Sequence, residues 1–293
     1  MRIKKIVAAT AASALALAGL AACSDSTEAG KGTDDNKVVI GTTDADQDAW
    51  KVFEEEVKKE GIDLEVKKFT EYTPVNPALS EKQIDISKFQ TIDYQAKYNV
   101  SAGKDTKIIG SGEINTLGLF WKDHDSLDGI EGQEIAIPND DSNQGRAINV
   151  LVQAGLVKVK DGASKLTPTP NDIVKDESKV KVVAVDASQT PAAYNEGRPA
   201  VINNNWLERA NIDAKSAVYA DDPNSELAEP YINVFSVRAE DIDNPTYEKL
   251  VEIWQSDAVT EALEKQTKGT AVQVKKDKTE LNKILERLQN ESK

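Results

Sequence analysis

The feature that most constrains the fold is a regular alternation of short apolar runs with amphipathic segments, which begins at residue 38. Residues 38–41 form an apolar run closed by a glycine, and residues 62–69 alternate apolar with polar side chains, which predicts two strands. Between them, Trp50, Phe53 and Val57 recur at helical spacing. A strand, a helix and a strand at short intervals predict βαβ units, a parallel sheet and an α/β fold.

The same alternation continues to the end of the chain, without an internal repeat. Further strands are predicted at residues 107–114, 117–121, 134–138, 181–185, 199–203 and 231–237. Helices are predicted after residue 142 and at residues 244–255, 257–268 and 277–289. A chain of about 255 residues with this pattern suits one large domain or two lobes.

Residues 1–22 have the features of a secretory signal peptide. Basic Arg2, Lys4 and Lys5 precede an apolar, alanine-rich run that ends in small residues. The alternative is a retained transmembrane anchor, which needs about 20 apolar residues and a polar flank that stops transfer. The short run with many small residues favours the signal peptide.

Cys23 is the only cysteine in the chain, which excludes a disulfide framework. It directly follows Leu-Ala-Ala, as in a bacterial lipobox, so we expect Cys23 to carry acyl chains such as palmitate. Residues 23–36 are small, polar and charged, which predicts a flexible tether between the lipid and the fold.

The charge and the residue inventory exclude several function classes. The net charge of −14 argues against binding a phosphate backbone or an anionic lipid surface. The single histidine, His124, lies in a charged loop, so neither a zinc site of the usual composition nor a Ser-His-Asp triad is expected. No phosphate-binding or dinucleotide-binding glycine pattern is present. Paired carboxylates remain possible, so a carboxylate-dependent surface hydrolase stays open as an alternative.

Residues 138–146, PNDDSNQGR, join a predicted strand to a predicted helix. The start of a helix presents free N–H groups and a partial positive charge, which suits a carboxylate. Arg146 follows in the first turns and could add a bidentate fork. From spacing alone, an ordinary capped helix with a surface arginine explains the segment equally well.

Residues 135–162, IAIPNDDSNQGRAINVLVQAGLVKVKDG, resemble the corresponding stretch of the NlpA/MetQ family of lipoproteins, the methionine-binding components of ABC importers. Four further blocks resemble that family in the same order. They are residues 69–79 (FTEYTPVNPAL), 84–90 (IDISKFQ), 201–206 (VINNNW) and 225–239. The resemblance extends over residues 37–270, which is nearly the whole mature chain.

This resemblance implies a two-lobe, periplasmic-binding-protein-like α/β fold of type II-like topology, with the ligand in the cleft between the lobes. Lobe 1 would comprise residues 37–117 and 232–293, and lobe 2 residues 118–231. Two hinge strands would join the lobes, and the ligand would be enclosed when they close.

The resemblance also implies the residues of the site. Arg146 would hold the carboxylate of the ligand. Asn143, Asn205 and Asn233 would make polar contacts with the amine and the carboxylate of the ligand. Tyr72, Phe89 and Tyr94 would form an aromatic wall around the side chain of the ligand. The chain departs from the family at Thr91, where a histidine is usual, and at Trp206, where a tyrosine is usual.

The function implied is that of a monomeric binding protein, anchored by lipid on the extracytoplasmic face of the cell membrane. It would capture methionine or a closely related amino acid and pass it to an ABC transporter permease and its ATPase. No catalysis, cofactor, metal or nucleic acid is expected. The departures at Thr91 and Trp206 leave a different neutral amino acid or a short peptide open as the ligand.

Overall fold

The computed structural model describes residues 37–293, apart from the side chains of residues 226 and 227. The predicted signal peptide, the lipidated Cys23 and the tether lie outside the described residues. Within residues 37–293, no helix has both the length and the apolar character needed to cross a bilayer.

The first of two large sheets contains five strands in the order β2-β1-β3-β11-β4. Their bounds are β1 Lys37–Thr42, β2 Asp63–Lys68, β3 Ile86–Thr91, β4 Lys107–Ser111 and β11 Asn233–Val237. β1 is parallel to β2 and β3, as the βαβ pattern predicts. β11 is antiparallel to β3 and β4, because the chain re-enters this sheet from the second one, so the sheet is mixed and the prediction of a parallel sheet was wrong for this strand.

The second large sheet also has five strands, in the order β10-β6-β9-β7-β8. Their bounds are β6 Gly118–Phe120, β7 Glu134–Pro138, β8 Lys181–Val185, β9 Ala200–Ile202 and β10 Tyr219–Ala220. A separate antiparallel pair joins β5 (Glu113–Asn115) to β12 (Ala271–Gln273). Each large sheet forms the centre of one lobe, and the exact bounds of the lobes stay a prediction.

The helices cover the faces of these sheets. Their bounds are α1 Asp48–Lys59, α2 Val75–Ser80, α3 Ile92–Ala102, α4 Asp141–Gln153, α5 Thr190–Asn195, α6 Asn204–Leu207, α7 Pro245–Trp254, α8 Asp257–Thr267 and α9 Lys278–Glu291. α3 illustrates the local rules. The Thr91 hydroxyl accepts the Tyr94 N–H at its start, and Gly103 ends it with a φ of 61°.

The segment predicted as one strand over residues 107–114 is two strands that belong to different sheets. The chain leaves the first sheet at Ser111, and the Gly112 N–H donates to the Asn233 carbonyl at 2.8 Å. β5 then pairs with β12 and leads directly into the second sheet. Gly112 therefore lies at one of the two places where the chain crosses between the sheets.

Apolar side chains between the sheets and the helices form the cores of both lobes. In the first lobe, α1 packs against α7 through Trp50, Phe53 and Trp254, whose ring centroids lie 4.7–5.6 Å apart. In the second, Ile148 and Leu151 of α4 pack on Ile135 of β7, and all three are fully buried. Because these cores are closely packed, each sheet is held rigidly within its own lobe.

Candidate ligand-binding site

A small cavity of about 30 Å³ lies where the two lobes meet. Eight residues line it: Tyr72, Phe89, Gln90, Thr91, Tyr94, Asn143, Asn205 and Asn233. All the residues that the resemblance implies for the site are in this lining except Arg146. The structure adds Gln90, which is buried and whose amide donates to the Ser236 hydroxyl at 3.1 Å.

Three aromatic rings form one side of the cavity. Tyr72 precedes α2, Phe89 lies in β3, and Tyr94 lies in the first turn of α3. The centroids of the three rings are 5.6–6.0 Å apart, and the Phe89 and Tyr94 rings meet edge to face. Such rings bury a large apolar area and make favourable contacts with sulfur.

Amide side chains from both lobes form the other side. Asn205 of α6 accepts the Tyr72 hydroxyl at 3.2 Å and donates to the Thr43 hydroxyl at 3.2 Å. The Asn203 side-chain amide donates to Asn143 Oδ1 at 2.8 Å, although Asn203 Oδ1 has no partner among the described residues. These amides offer both donors and acceptors, which a dehydrated zwitterion requires.

Trp206 lies behind this cavity and not in its lining. Its ring is 3% exposed and its centroid lies 5.2 Å from that of Tyr72. The Arg209 guanidinium carbon lies 5.0 Å from the centre of the Trp206 ring. The tryptophan therefore supports Tyr72 by packing, and Thr91 is the departure from the family that faces the cavity itself.

Asp140 fixes the start of α4 beside the aromatic wall. Its carboxylate accepts the backbone N–H of Asn143 at 2.9 Å and the side-chain amide of the same residue at 3.0 and 3.1 Å. Burial raises the pKa of this carboxyl above its ordinary 3.8, although the hydrogen bonds from Asn143 oppose the rise. Burial, and then the charge of Asp140, also raise the pKa of the Tyr72 phenol.

Asp140→Asn is expected to gain stability relative to the wild type as the pH rises from about the ordinary carboxyl pKa to neutral. The raised pKa means that the native state binds more protons than the unfolded state above pH 3.8, so the wild type loses stability as the pH rises. Asparagine still caps the helix but does not titrate. Urea unfolding of both proteins across this range measures the difference.

Asp172→Asn provides a control of opposite sign for that measurement. Hydrogen bonds from Thr169 lower the pKa of Asp172 below 3.8. Its contribution to stability is therefore present above the unfolded pKa and is lost as the pH falls through the folded one. A stability difference for Asp140→Asn that does not change with pH would contradict the assigned environment of Asp140.

Gly145 allows α4 to lie directly against a loop of the second lobe. A Cβ at this position would lie 2.8 Å from Thr167 Cα and 3.0 Å from the Leu166 carbonyl oxygen, and both are backbone atoms. The Leu166 side chain continues from there onto the apolar face of α9. This close approach explains why a glycine directly precedes Arg146.

Gly145→Ala is expected to destabilise the protein, even though alanine gains about 1 kcal/mol over glycine in a helix. Overpacking costs about 1–3 kcal/mol, and a backbone segment cannot move aside as a flexible side chain does. The free energy of unfolding in urea tests this, with Gln144→Ala as the control on the same helix. A stabilised Gly145→Ala protein would show that the loop does not lie against α4.

Arg146 lies outside the small cavity and lines a larger one, of about 600 Å³, between α4 and α9. Its Nε donates to Asp221 Oδ2 at 2.8 Å, and its Nη2 donates to the Asn115 carbonyl at 2.8 Å. Its guanidinium carbon lies 4.3 Å from the centre of the Tyr231 ring. The role of Arg146 towards a ligand stays a prediction.

Polar contacts hold the two lobes together around the cavity. On one side, the Ser142 hydroxyl donates to Asp93 at 2.6 Å, and Lys97 Nζ donates to the Asp141 carbonyl at 2.9 Å. On the other side, Arg209 donates to the Thr43 carbonyl at 2.6 Å. The lobes are therefore in a closed arrangement.

His124 lies apart from this site, in an exposed loop of the second lobe. Its ring stacks on Trp121 with a centroid distance of 3.3 Å, and its Nδ1 is paired with the Lys122 carbonyl. Within residues 37–293, no group of three or more His, Cys, Asp and Glu side chains is placed to hold a metal ion.

Two α/β lobes, crossed twice by the chain and enclosing a cavity lined from both sides, define a periplasmic-binding-protein-like solute-binding protein. The sequence model of the NlpA lipoprotein family matches residues 38–275, and the chain belongs to that family. The expectation from the sequence resemblance is therefore confirmed for the family and for the fold class.

The relatives agree with this assignment. The D-methionine-binding lipoprotein MetQ of Salmonella typhi is 33% identical over 245 residues, which cover 82% of this chain and 89% of that protein. Protein PG110 of Staphylococcus aureus is similar in structure with a TM-score of 0.80 and 34% identity, over 86% of this chain and 99% of that one. A nutrient-binding protein of Burkholderia cenocepacia, solved bound to methionine, has a TM-score of 0.74 and 33% identity, over 80% and 99% of the two chains.

Proposed function

We propose that this protein captures methionine, or a closely related amino acid, between its two lobes and releases it to the permease of an ABC importer. One observation carries the proposal: aromatic and amide residues from distant parts of the sequence meet at a single cavity between the lobes. Relatives that are named as methionine-binding support the choice of ligand.

The chemistry of the lining suits this ligand. A thioether side chain packs favourably against Tyr72, Phe89 and Tyr94. The ammonium and the carboxylate would be paired with Asn143, Asn205 and Asn233, and the carboxylate also with Arg146. Because a water molecule needs about 10–15 Å³ of such space, a cavity of about 30 Å³ holds about two waters, and the ligand must enter by parting the lobes.

The proposed cycle involves no chemical reaction. The ligand would add contacts in the closed state that are absent from the open one, and would therefore shift the population towards closure. The permease and its ATPase would then recognise the closed protein. We further propose that the protein acts as a monomer, held by a lipid on Cys23 at the extracytoplasmic face of the cell membrane.

A different neutral amino acid or a short peptide is the second candidate ligand. Thr91 is smaller than the histidine usual in the family and lines the cavity. A groove of about 400 Å³ lies on the far side of Tyr94 and is lined by Asp140, Asp141 and Lys97 among others. Tyr94 lines both spaces, and we propose that a movement of its side chain would join them and lengthen the site.

A competition panel separates these ligands. The protein is unfolded in urea to remove carried-over ligand, refolded, and equilibrated with labelled L-methionine against neutral amino acids and methionine-containing dipeptides. Displacement by methionine at the lowest concentration supports the first ligand, and tighter displacement by another compound supports the second. Mass spectrometry of the recovered compounds tests the hydrolase alternative, because cleavage of a dipeptide would contradict a pure binding function.

A further inference from the structure

Arg146 is held from three directions by residues that belong to neither the aromatic wall nor the amides. The Asp221 carboxylate accepts a hydrogen bond from Nε, the backbone carbonyl of Asn115 accepts one from Nη2, and the guanidinium lies over the Tyr231 ring. The Arg146 side chain is 6% exposed, so this arrangement is nearly shielded from water. Asp221 and Tyr231 lie after β10, and Asn115 lies in β5. Both segments in which the chain crosses between the lobes therefore supply partners of Arg146.

These contacts leave some of the hydrogen-bond donors of the Arg146 guanidinium unused. A guanidinium has five N–H donors in a rigid fork. The Asp221 and Asn115 contacts take the Nε donor and one Nη2 donor, and no described residue accepts from Nη1. Both Nη1 donors and one Nη2 donor therefore remain, and the edge formed by Nη1 and Nη2 is the one on which a carboxylate can accept two parallel hydrogen bonds.

Arg146 is close along the chain to two elements that contribute to the proposed ligand cavity. Arg146 follows Asn143 by about one turn of α4, and Tyr231 precedes Asn233 by two residues. Asn143 and Asn233 both line the small cavity. In the proposed bound state, a carboxylate at the Asn143 and Asn233 side of the cavity would pair with Arg146 once the lobes have parted to admit a ligand.

Asp221 is itself fixed in place. Its Oδ1 accepts the backbone N–H of Leu117 at 2.8 Å, while its Oδ2 accepts from Arg146. Both carboxylate oxygens are therefore engaged. An amide at this position presents only one acceptor, and must lose either the Leu117 or the Arg146 contact.

We propose that Asp221 is a positioning residue, which orients Arg146 so that its unused edge faces the carboxylate of the bound amino acid. This inference rests on the proposed function. Asp221 binds the Nε side and does not occupy the fork, so its effect is to fix the geometry of the arginine. Charged recognition depends strongly on such fixed geometry.

The test compares two ligands that differ only in the carboxylate. L-Methionine and L-methioninamide share the ammonium and the thioether, but the amide cannot pair with Arg146 as an anion. In the full chain, Asp221→Asn is expected to weaken L-methionine about tenfold and to change L-methioninamide binding less than about twofold, with tenfold corresponding to ~1.4 kcal/mol. Calorimetric titration measures both affinities.

Four further variants complete the design: two single variants as controls, Arg146→Lys, and its combination with Asp221→Asn. Glu177→Gln removes the same charge from an exposed pair with Lys158 in the same lobe, and should change neither affinity. Asp221→Glu keeps the charge but moves the carboxylate, and is expected to weaken L-methionine selectively; it decides the question if Asp221→Asn does not fold. Adding Asp221→Asn to Arg146→Lys should have less effect on L-methionine than it has alone, since the two residues act as a unit.

Each other result overturns the inference. Equal weakening of both ligands would assign Asp221 a general structural role, and unchanged affinities would assign it none. Tighter binding of L-methionine by Asp221→Asn would show that Asp221 competes with the ligand for the arginine. A wild type that binds neither ligand would overturn the proposed function as well, whereas in the other cases wild-type binding of L-methionine leaves that function standing.

Discussion

Arg146→Ala is expected to weaken L-methionine binding by about 10- to 150-fold, because a hydrogen bond to a charged group contributes about 1.5–3 kcal/mol. The substitution removes the unused fork and leaves the carboxylate of the ligand with neutral amides only. The loss would be larger if the closed site excludes water, since a charge buried without a partner is costly.

The fold is expected to survive this change. Asp221 would lose its partner, but its side chain is 14% exposed and still accepts from Leu117, so water can reach it. Circular dichroism and thermal unfolding check the fold, and calorimetry measures the affinity. Arg198→Ala is the matched control, because Arg198 is an exposed arginine of the same lobe, paired with Glu134 and Glu196. Unchanged methionine affinity in a folded Arg146→Ala protein would contradict the assignment of Arg146.

The second large effect concerns stability. Lys88 and Glu113 form an ion pair inside the first lobe, with 2.7 Å between Lys88 Nζ and Glu113 Oε1 and side-chain exposures of 2% and 3%. The ammonium also lies 4.3 Å from the centre of the Trp254 ring and 5.9 Å from that of Trp50. Glu113→Gln leaves this buried ammonium without its counter-charge, and is expected to cost about 3–5 kcal/mol of unfolding free energy.

A double variant separates this effect from packing. Lys88→Met combined with Glu113→Leu removes both charges with little change in volume, and such replacements are often neutral or stabilising. Urea unfolding should therefore place the double variant near the wild type and Glu113→Gln far below it. As a surface reference, Glu177→Gln breaks an exposed pair and should cost little unfolding free energy, because solvent screens the two charges. A loss for Glu113→Gln as small as this reference would contradict the buried, water-free setting of the pair.

Much of the fold follows from the periodicity of the sequence, and the failures have physical reasons. The amphipathic α9 and the half-buried β2 were predicted close to their observed bounds, and α1 was predicted at its place between β1 and β2, because each presents one face to water. β3 is buried at five of its six positions, so it shows no alternation and was not predicted. The break at Gly112 depends on pairing with β12, far along the chain, which no local pattern records.

The site was predictable in part for a different reason. Spacing alone could not bring Tyr72, Asn143 and Asn233 together, because they lie in separate elements of two lobes. These residues were identified from the resemblance to a family, and in the structure they line one cavity. The Asp221 partner of Arg146 was missed, because the two residues are 75 positions apart and the acidic segment around Asp221 has no distinctive spacing.

The most direct test of the proposed function is a calorimetric titration of the refolded protein, freed of carried-over ligand, with L-methionine. The structure predicts saturable binding with one ligand per chain, since one cavity between the lobes collects the aromatic and amide residues. Absence of binding heat at several temperatures, together with no displacement of any labelled amino acid or dipeptide, would contradict the proposal that this cleft captures an amino acid.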